Sequence, residues 1–261
     1  RHQFNRPLAS FSLVKKKIAL MAAYTYAMDA ATQMTAGMID RDEEDIMLET
    51  AIVKVFSSEA LWTIIYEGMQ IFGGRSFFPD LPFERMMRDA RLNTIGEGSN
   101  EVLRAFIGVV GMRDVGKQLE ELQKALRHPL QEVIKIAGLS RGILRRIAVT
   151  PSVLVRSPEL AEHAVRLGEM THRFGNAIIR LLARHREEIV EEQMILDRVA
   201  TIAITLFTTA AVMSKLDNGL ANDPGSMEQD LTIGRLYCRE AFKTADAAFA
   251  GLFRNDDASI E

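Results

Sequence analysis

The sequence predicts an all-α protein: a four-helix bundle followed by a second helical bundle. Three observations carry this reading. Apolar residues recur at spacings of three and four rather than two. Long stretches are rich in Ala, Leu, Met, Glu, Lys and Arg, the good helix formers. Only seven prolines interrupt 261 residues. A chain of this length buries a core as one large domain or two smaller ones. A net charge of −3 leaves no nucleic-acid footprint. The single cysteine, Cys238, excludes an internal disulfide framework. No apolar run reaches the roughly 18 residues of a membrane-spanning helix. The chain opens on Arg1 rather than Met, so it is expected to be a C-terminal piece of something longer.

The first helix is expected from about Leu8 to Ile39, with Leu13, Ile18, Met21, Met28 and Met34 on its apolar face. The acids of Asp40-Arg41-Asp42-Glu43-Glu44-Asp45 lack the glycine and spacing of a calcium loop. They read instead as a solvated turn that caps the next helix. That helix runs from about Asp45 to Phe72 and buries Ile52, Val55, Phe56, Leu61, Trp62 and Ile65. Gly73-Gly74 supplies its C-terminal stop. Pro82 opens a short third helix through Arg91, where Glu84 and Arg88 stand four apart and can pair. A fourth helix follows from about Asn100 to Gly111 and continues to Arg127.

Between the third and fourth helices, Glu97 lies between Gly96 and Gly98, after Ile95. Glycines let backbone approach a ligand. An apolar neighbour keeps water from a carboxylate and makes it a stronger base. The helix start just beyond turns amides and a partial positive charge toward a ligand. Three blocks frame this glutamate: Gln70-Ile-Phe-Gly-Gly74, then Pro82-Phe-Glu-Arg-Met-Met-Arg-Asp-Ala-Arg91, then Ile95-Gly-Glu-Gly-Ser-Asn-Glu101.

In that order and spacing the blocks resemble the C-terminal signature of flavin-dependent acyl-CoA dehydrogenases. The resemblance implies that Glu97 is the base that removes the α-proton of an acyl thioester. Gly98 belongs to the substrate-binding turn, and the amide of the glutamate donates to the thioester oxygen. Ser99 stands where the family has Thr and keeps the hydroxyl. Ser99 and Glu101 fall where the family contacts flavin. Gln70, Gly73 and Gly74 form the corner that packs on the adenosine–diphosphate end of a partner subunit's FAD. Arg1-His-Gln-Phe4-Asn-Arg resembles the segment that opens the family's C-terminal domain, which assigns Arg1, Gln3 and Phe4 to the same cofactor. Asn5 replaces a glycine there, and Asn is the next-best residue for left-handed backbone. Arg75-Ser76 departs from the usual pattern, in which the second residue is glycine. Arg88 and Asp89 are expected to lock the loop that presents Glu97.

The family match covers residues 1 to about 118, and the chain continues well past it. The extra length resembles the very-long-chain subgroup and its respiratory-complex assembly relative. From Lys124 to Arg156 seven basic residues face one acid, a local charge of +6, interleaved with Leu, Ile and Val. Such a stretch, residues 119–157 in all, reads as membrane-surface contact or as a solvated basic linker. Ser157-Pro158-Glu159 starts a helix to about Arg186. Its Glu169-x-x-His172 lacks the second copy and the further carboxylates of a diiron bundle, so no metal site is assigned. A helix from about Val190 to Leu216, a loop at Asn218–Gly225 and a last helix at Met227–Phe253 complete a second bundle, residues 158–261.

The resemblance implies FAD as cofactor, fatty acyl-CoA as substrate, electron-transfer flavoprotein as electron acceptor and a homodimer. It implies a cytoplasmic or peripheral inner-membrane setting in bacteria and a mitochondrial one in eukaryotes. The 261 residues alone are expected to be colourless and inactive. The rival reading is a non-catalytic helical module for assembly or membrane docking.

Overall fold

The computed structural model describes residues 1–126, 138–139, 141–142 and 147–259. Much of the basic segment expected at 124–156 therefore lies outside the described residues. The all-α expectation holds. The described residues include α1 (Ser12–Asp40), α2 (Met47–Phe72), α3 (Phe83–Asn93), α4 (Asn100–Leu126), α5 (Ala161–His185), α6 (Gln193–Asn222) and α7 (Glu228–Phe253). The chain divides into two compact units, each discontinuous in sequence. The first takes Arg1–Leu103 and Phe207–Phe242, the second Arg104–Leu206 and Lys243–Glu261.

In the first unit α1 buries an alanine stripe, Ala23, Ala27, Ala30 and Ala31, with Thr35. The larger apolar residues expected there lie at the margin. Leu13 is 75% exposed, Ile18 is exposed, and Met21, Met28 and Met34 are half-buried. Small side chains allow a neighbouring helix to approach closely, so large residues are displaced to the edge of the contact. Helix α2 answers with Ala51, Ile52, Val55, Phe56, Ala60 and Ile65. Tyr24, Phe56 and Tyr237 pack with ring centroids 6.4, 6.2 and 5.9 Å apart. The Tyr237 hydroxyl donates to Thr208 Oγ1 at 2.6 Å. Burial pushes the neighbouring Cys238 thiol up to about 12, which leaves it inert at neutral pH.

Several expected boundaries shift. Residues 2–7 form a tiny hairpin, His2–Gln3 against Arg6–Pro7, turned by Phe4 and Asn5 at φ 53° and 59°. The left-handed conformation anticipated at Asn5 is present, and Phe4 shares it. A 3-10 turn then delays α1 to Ser12. The acidic turn gives α2 no side-chain cap, because the helix begins after Ile46. A 3-10 turn at Pro158–Leu160 precedes α5, without the serine side-chain cap expected from Ser157. Helix α6 runs through the loop expected at 218 and ends at Asn222, where Asp223 N–H still donates to the Gly219 carbonyl at 2.8 Å. By length and composition α6 can cross a membrane, contrary to the sequence expectation, yet 67% of its most apolar window is buried. Leu196, Val199, Ala200, Ile202, Val212 and Leu216 account for much of that burial, so α6 is a core helix.

In the second unit α5 buries Ala164, Leu167, Met170, Ala177, Ile178 and Leu181, a single helical face. Arg166 and Arg173 from α5 converge on Asp246 of α7 at 2.9 and 2.7 Å. Glu169 pairs with Arg166. His172 engages Thr150 Oγ1 through Nδ1 at 3.2 Å and the Ile147 carbonyl through Nε2 at 2.8 Å. The Glu-x-x-His pair thus docks a connecting segment. Arg198 makes a two-pronged bond to Asp257 at 2.6 Å on each side, which ties the chain's end to α6.

A Cβ on Gly168 would stand 2.4 Å from the Pro151 carbonyl oxygen. Gly168→Ala is expected to destabilise the protein by about 1–3 kcal/mol. Gly175, on the same helix with open space around it, serves as control: Gly175→Ala should be neutral or stabilising by up to about 1 kcal/mol. Urea unfolding of both variants checks this. The Asp257 carboxyl is held below its ordinary range, first by its hydrogen bonds from Arg198. A lowered folded-state value gives stability that is present at neutral pH and lost as pH falls through it. Asp257→Asn should flatten the acid limb of the melting-temperature profile and leave the limb above pH 7 parallel to the parent.

Candidate active site

The glutamate loop is built by the end of α3 and the start of α4. The N–H groups of Ile95 and Gly96 both donate to the Leu92 carbonyl, at 2.9 and 2.8 Å. The chain then turns sharply, with Glu97 at φ 57° and Gly98 at φ 88°. Glycine adopts this region freely, whereas a glutamate does so at a cost of roughly 1–2 kcal/mol. Asn100 N–H donates to the Thr94 carbonyl at 3.0 Å and closes the loop. The N–H groups of Glu97 and Gly98 have no acceptor among the described residues.

Helix α2 braces this loop through residues the sequence reading passed over. Asn100, 5% exposed, donates from Nδ2 to Ser58 Oγ at 2.9 Å. Its Oδ1 accepts from Ser58 Oγ at 3.2 Å and from Lys54 Nζ at 2.8 Å. Lys54 Nζ also donates to the Gly98 carbonyl at 2.6 Å. The one signal in the sequence is that Lys54 interrupts the apolar run Ile52-Val53-Lys54-Val55-Phe56.

Ser99 and Glu101, expected at the flavin, meet each other. The Glu101 carboxyl is held below the usual range by its own backbone N–H and then by the Ser99 hydroxyl. Val102 N–H approaches Ser99 Oγ at 3.5 Å, so the pair caps α4. A cleft of about 550 Å³ opens beside the loop. Met28, Leu61 and Leu92 give it apolar walls, and Lys54, Ser57 and Glu97 give it polar groups. Glu97 is exposed. Ile95, expected to shield it, is itself 52% exposed, because it points away from the core on a loop too short to fold back. Within this chain the carboxylate meets solvent.

The second cluster is the glycine corner. Gly73 stops α2 at φ 67°, with its N–H on the Met69 carbonyl. Ser76, the departure from the usual pattern, completes the corner. Its buried hydroxyl bonds to the Gly73 carbonyl at 2.7 Å and to the Met69 carbonyl at 3.0 Å. Arg1 arrives here: its guanidinium lies 3.3 Å from where a Cβ on Gly73 would stand. The Leu8 N–H donates to the Arg1 carbonyl at 2.9 Å and anchors the hairpin. Phe4 is exposed and meets the Phe11 ring edge-on at 6.2 Å. Gln3, Gln70 and Gly74 are exposed. The two anchor points on α2, Lys54 and Gly73, lie about 28 Å apart along the helix axis. The predicted residues therefore gather in two clusters rather than one pocket. In α3, Arg88 bonds to Glu84 at 2.7 Å and Arg85 pairs with Asp89 at 3.5 Å.

Residues 1–111 match the family model "Acyl-CoA dehydrogenase, C-terminal domain", and residues 158–259 match "ACAD9/ACADV, C-terminal domain". The very long-chain specific acyl-CoA dehydrogenase, mitochondrial, of Bos taurus is 32% identical over 245 residues, 92% of this chain and 37% of its own length. The Homo sapiens protein of the same name gives the same identity and coverage. The probable acyl-CoA dehydrogenase FadE10 of Mycobacterium tuberculosis is 26% identical over 274 residues, 98% of this chain and 42% of its own length. A crystal structure of an acyl-CoA dehydrogenase complexed with FAD from Bacillus anthracis superposes on 99% of this chain and 45% of that one, with a TM-score of 0.76 and 24% identity. That likeness shows a shared fold. The chain spans less than half the length of these relatives. Through its two matched stretches, the chain belongs to the acyl-CoA dehydrogenase family and joins the family's C-terminal helical domain to the further C-terminal domain of the ACAD9/ACADV branch.

Proposed function

We propose that this chain is the C-terminal portion of a flavin-dependent dehydrogenase that introduces a double bond between Cα and Cβ of long-chain fatty acyl-CoA, with Glu97 as the base. The observation that supports it is the loop itself. A carboxylate sits on a left-handed turn at the mouth of a partly apolar cleft, braced from a rigid helix and followed by a helix start. Glu97 takes the α-proton as the Cα–H bond breaks. The electron pair shifts toward the thioester carbonyl, where the Glu97 amide and the first turn of α4 favour the growing negative charge. The exposed carboxylate requires cover, supplied by the acyl chain and by protein outside these residues, and a covered carboxylate is a stronger base.

The glycine corner suits a dinucleotide. Gly73 and Gly74 present backbone without side chains, Arg1 offers donors for a diphosphate, and Phe4 offers a ring face. Arg1, Gln3, Phe4, Gln70, Gly73 and Gly74 would hold the adenosine–diphosphate end of one FAD, and Ser99 and Glu101 would touch another, the one beside Glu97. When bound, FAD supplies the acceptor for the β-hydrogen as hydride. Because the two clusters stand far apart on α2, this reading uses the corner for the flavin of a second copy, hence a homodimer. Electron-transfer flavoprotein would take the electrons onward. The relatives named as mitochondrial are compatible with a mitochondrial setting, inner membrane or matrix, and this reading gives residues 124–156 any membrane contact.

In the complete flavin-loaded protein, Glu97→Gln is expected to lower kcat by about 10²–10⁴-fold and to leave flavin content unchanged. Steady-state assays with acyl-CoAs of several lengths check this. Turnover equal to the parent's removes Glu97 from the role, and no turnover in the parent at any length favours the assembly or docking module.

A further inference from the structure

The Glu97 turn is held in a conformation that its own sequence disfavours. Two consecutive residues, Glu97 and Gly98, are left-handed, and only one of them is a glycine. The loop's own closing bond, from Asn100 N–H to the Thr94 carbonyl, fixes the base of the loop but not the plane of the peptide after Gly98. That plane is gripped from α2. The Lys54 ammonium donates to the Gly98 carbonyl at 2.6 Å and to Asn100 Oδ1 at 2.8 Å. Both bonds are charge-assisted and correspondingly short. Lys54 interrupts the apolar run Ile52-Val53-Lys54-Val55-Phe56 and lines the same cleft as Glu97. A lysine kept only for solubility would extend into water; this one is turned inward onto a backbone oxygen one residue from the carboxylate-bearing position.

We propose that Lys54 is a positioning residue for Glu97: by clamping the Gly98 carbonyl and Asn100 it sets the direction from which the carboxylate reaches the α-proton. Lys54 acts through Gly98 and does not touch the reacting atoms. The inference rests on the reading of Glu97 as the base. Because a misplacement of about 1 Å in a reacting group costs on the order of 100-fold in rate, loss of the clamp falls on the proton-transfer step and not on substrate affinity.

The test uses the complete flavin-loaded protein and three variants, Lys54→Met, Lys54→Gln and Lys54→Arg, assayed with ordinary and α-deuterated acyl-CoA. Lys54→Met and Lys54→Gln are expected to lower kcat by about 10- to 100-fold, to leave KM within twofold and to raise the α-deuterium isotope effect. Lys54→Arg, which keeps charge and donors, should recover part of kcat and bring the isotope effect back toward the parent's. A parental kcat and isotope effect in whichever of the Met and Gln variants binds flavin stoichiometrically overturns the proposal. Loss of flavin from both also overturns it, since Lys54 would then be a folding or cofactor group. Glu97→Gln, measured alongside, separates the two claims. An inactive Glu97→Gln beside a fully active Lys54→Met defeats the clamp alone, whereas an active Glu97→Gln defeats the base and the clamp together.

Discussion

The site depends on α2 gripping a loop that would not hold its shape unaided. Left-handed glutamate is costly, and a loop of six residues, 94–99, has few internal bonds with which to offset that. Asn100 and Lys54 offset it from outside. Asn100 is buried and bonded to Ser58 in both directions, so its backbone is fixed to the helix that carries the unit's core. The same helix ends in the other candidate cluster. Gly73 stops it, Ser76 ties its last turn, and Arg1 comes to rest beside the bare backbone. One helix thus braces the glutamate loop near one point and the glycine corner at its end.

Much of this was legible in the sequence because it rests on local chemistry. Gly73 reads as a helix stop, Glu84 and Arg88 as an i,i+4 pair, and Asn5 as left-handed backbone, since each needs only its neighbours in the chain. The glutamate turn was legible through a pattern of three blocks, although its left-handed φ at Glu97 was not. What escaped was long-range. Lys54 and Ser58 lie more than forty residues from their partners, and nothing in a helical pattern says which polar residue turns inward. The buried face of α1 was misjudged for a related reason. Periodicity marks Leu13 and Ile18 as well as the alanines, and only packing reveals that small residues occupy the contact.

The helix boundaries show the same division. The loop expected at Asn218 looked secure from composition, with Asn, Gly, Asp and Pro within eight residues. The helix instead continues to Asn222, with the Asn222 side chain bonded back to Asn218 at 3.1 Å. Turn-forming residues terminate a helix that has little else to hold it. Met213 and Leu216 are buried, and this tertiary burial carries α6 through residues that would otherwise break it.

The exposure of the candidate residues carries its own argument. Core residues of both units are buried to a few per cent, yet Glu97, Gly98, Arg1, Gln3, Phe4, Gln70 and Gly74 all face solvent. Left-handed backbone on a charged residue is not by itself the mark of a site, because exposed Asp42 and Arg186 adopt it too. Glu97 differs in what lies beside and beneath it: a cleft, and the buried bonds between Asn100 and Ser58. The glycine corner is likewise held by a buried bond, from the Ser76 hydroxyl to the Gly73 carbonyl. A rigid frame under an open polar surface is the arrangement expected when the binding partners lie outside the chain, because preorganisation lowers the cost of meeting them. Under the proposed function, the exposed Glu97 carboxylate is the group that substrate and the rest of the protein would cover.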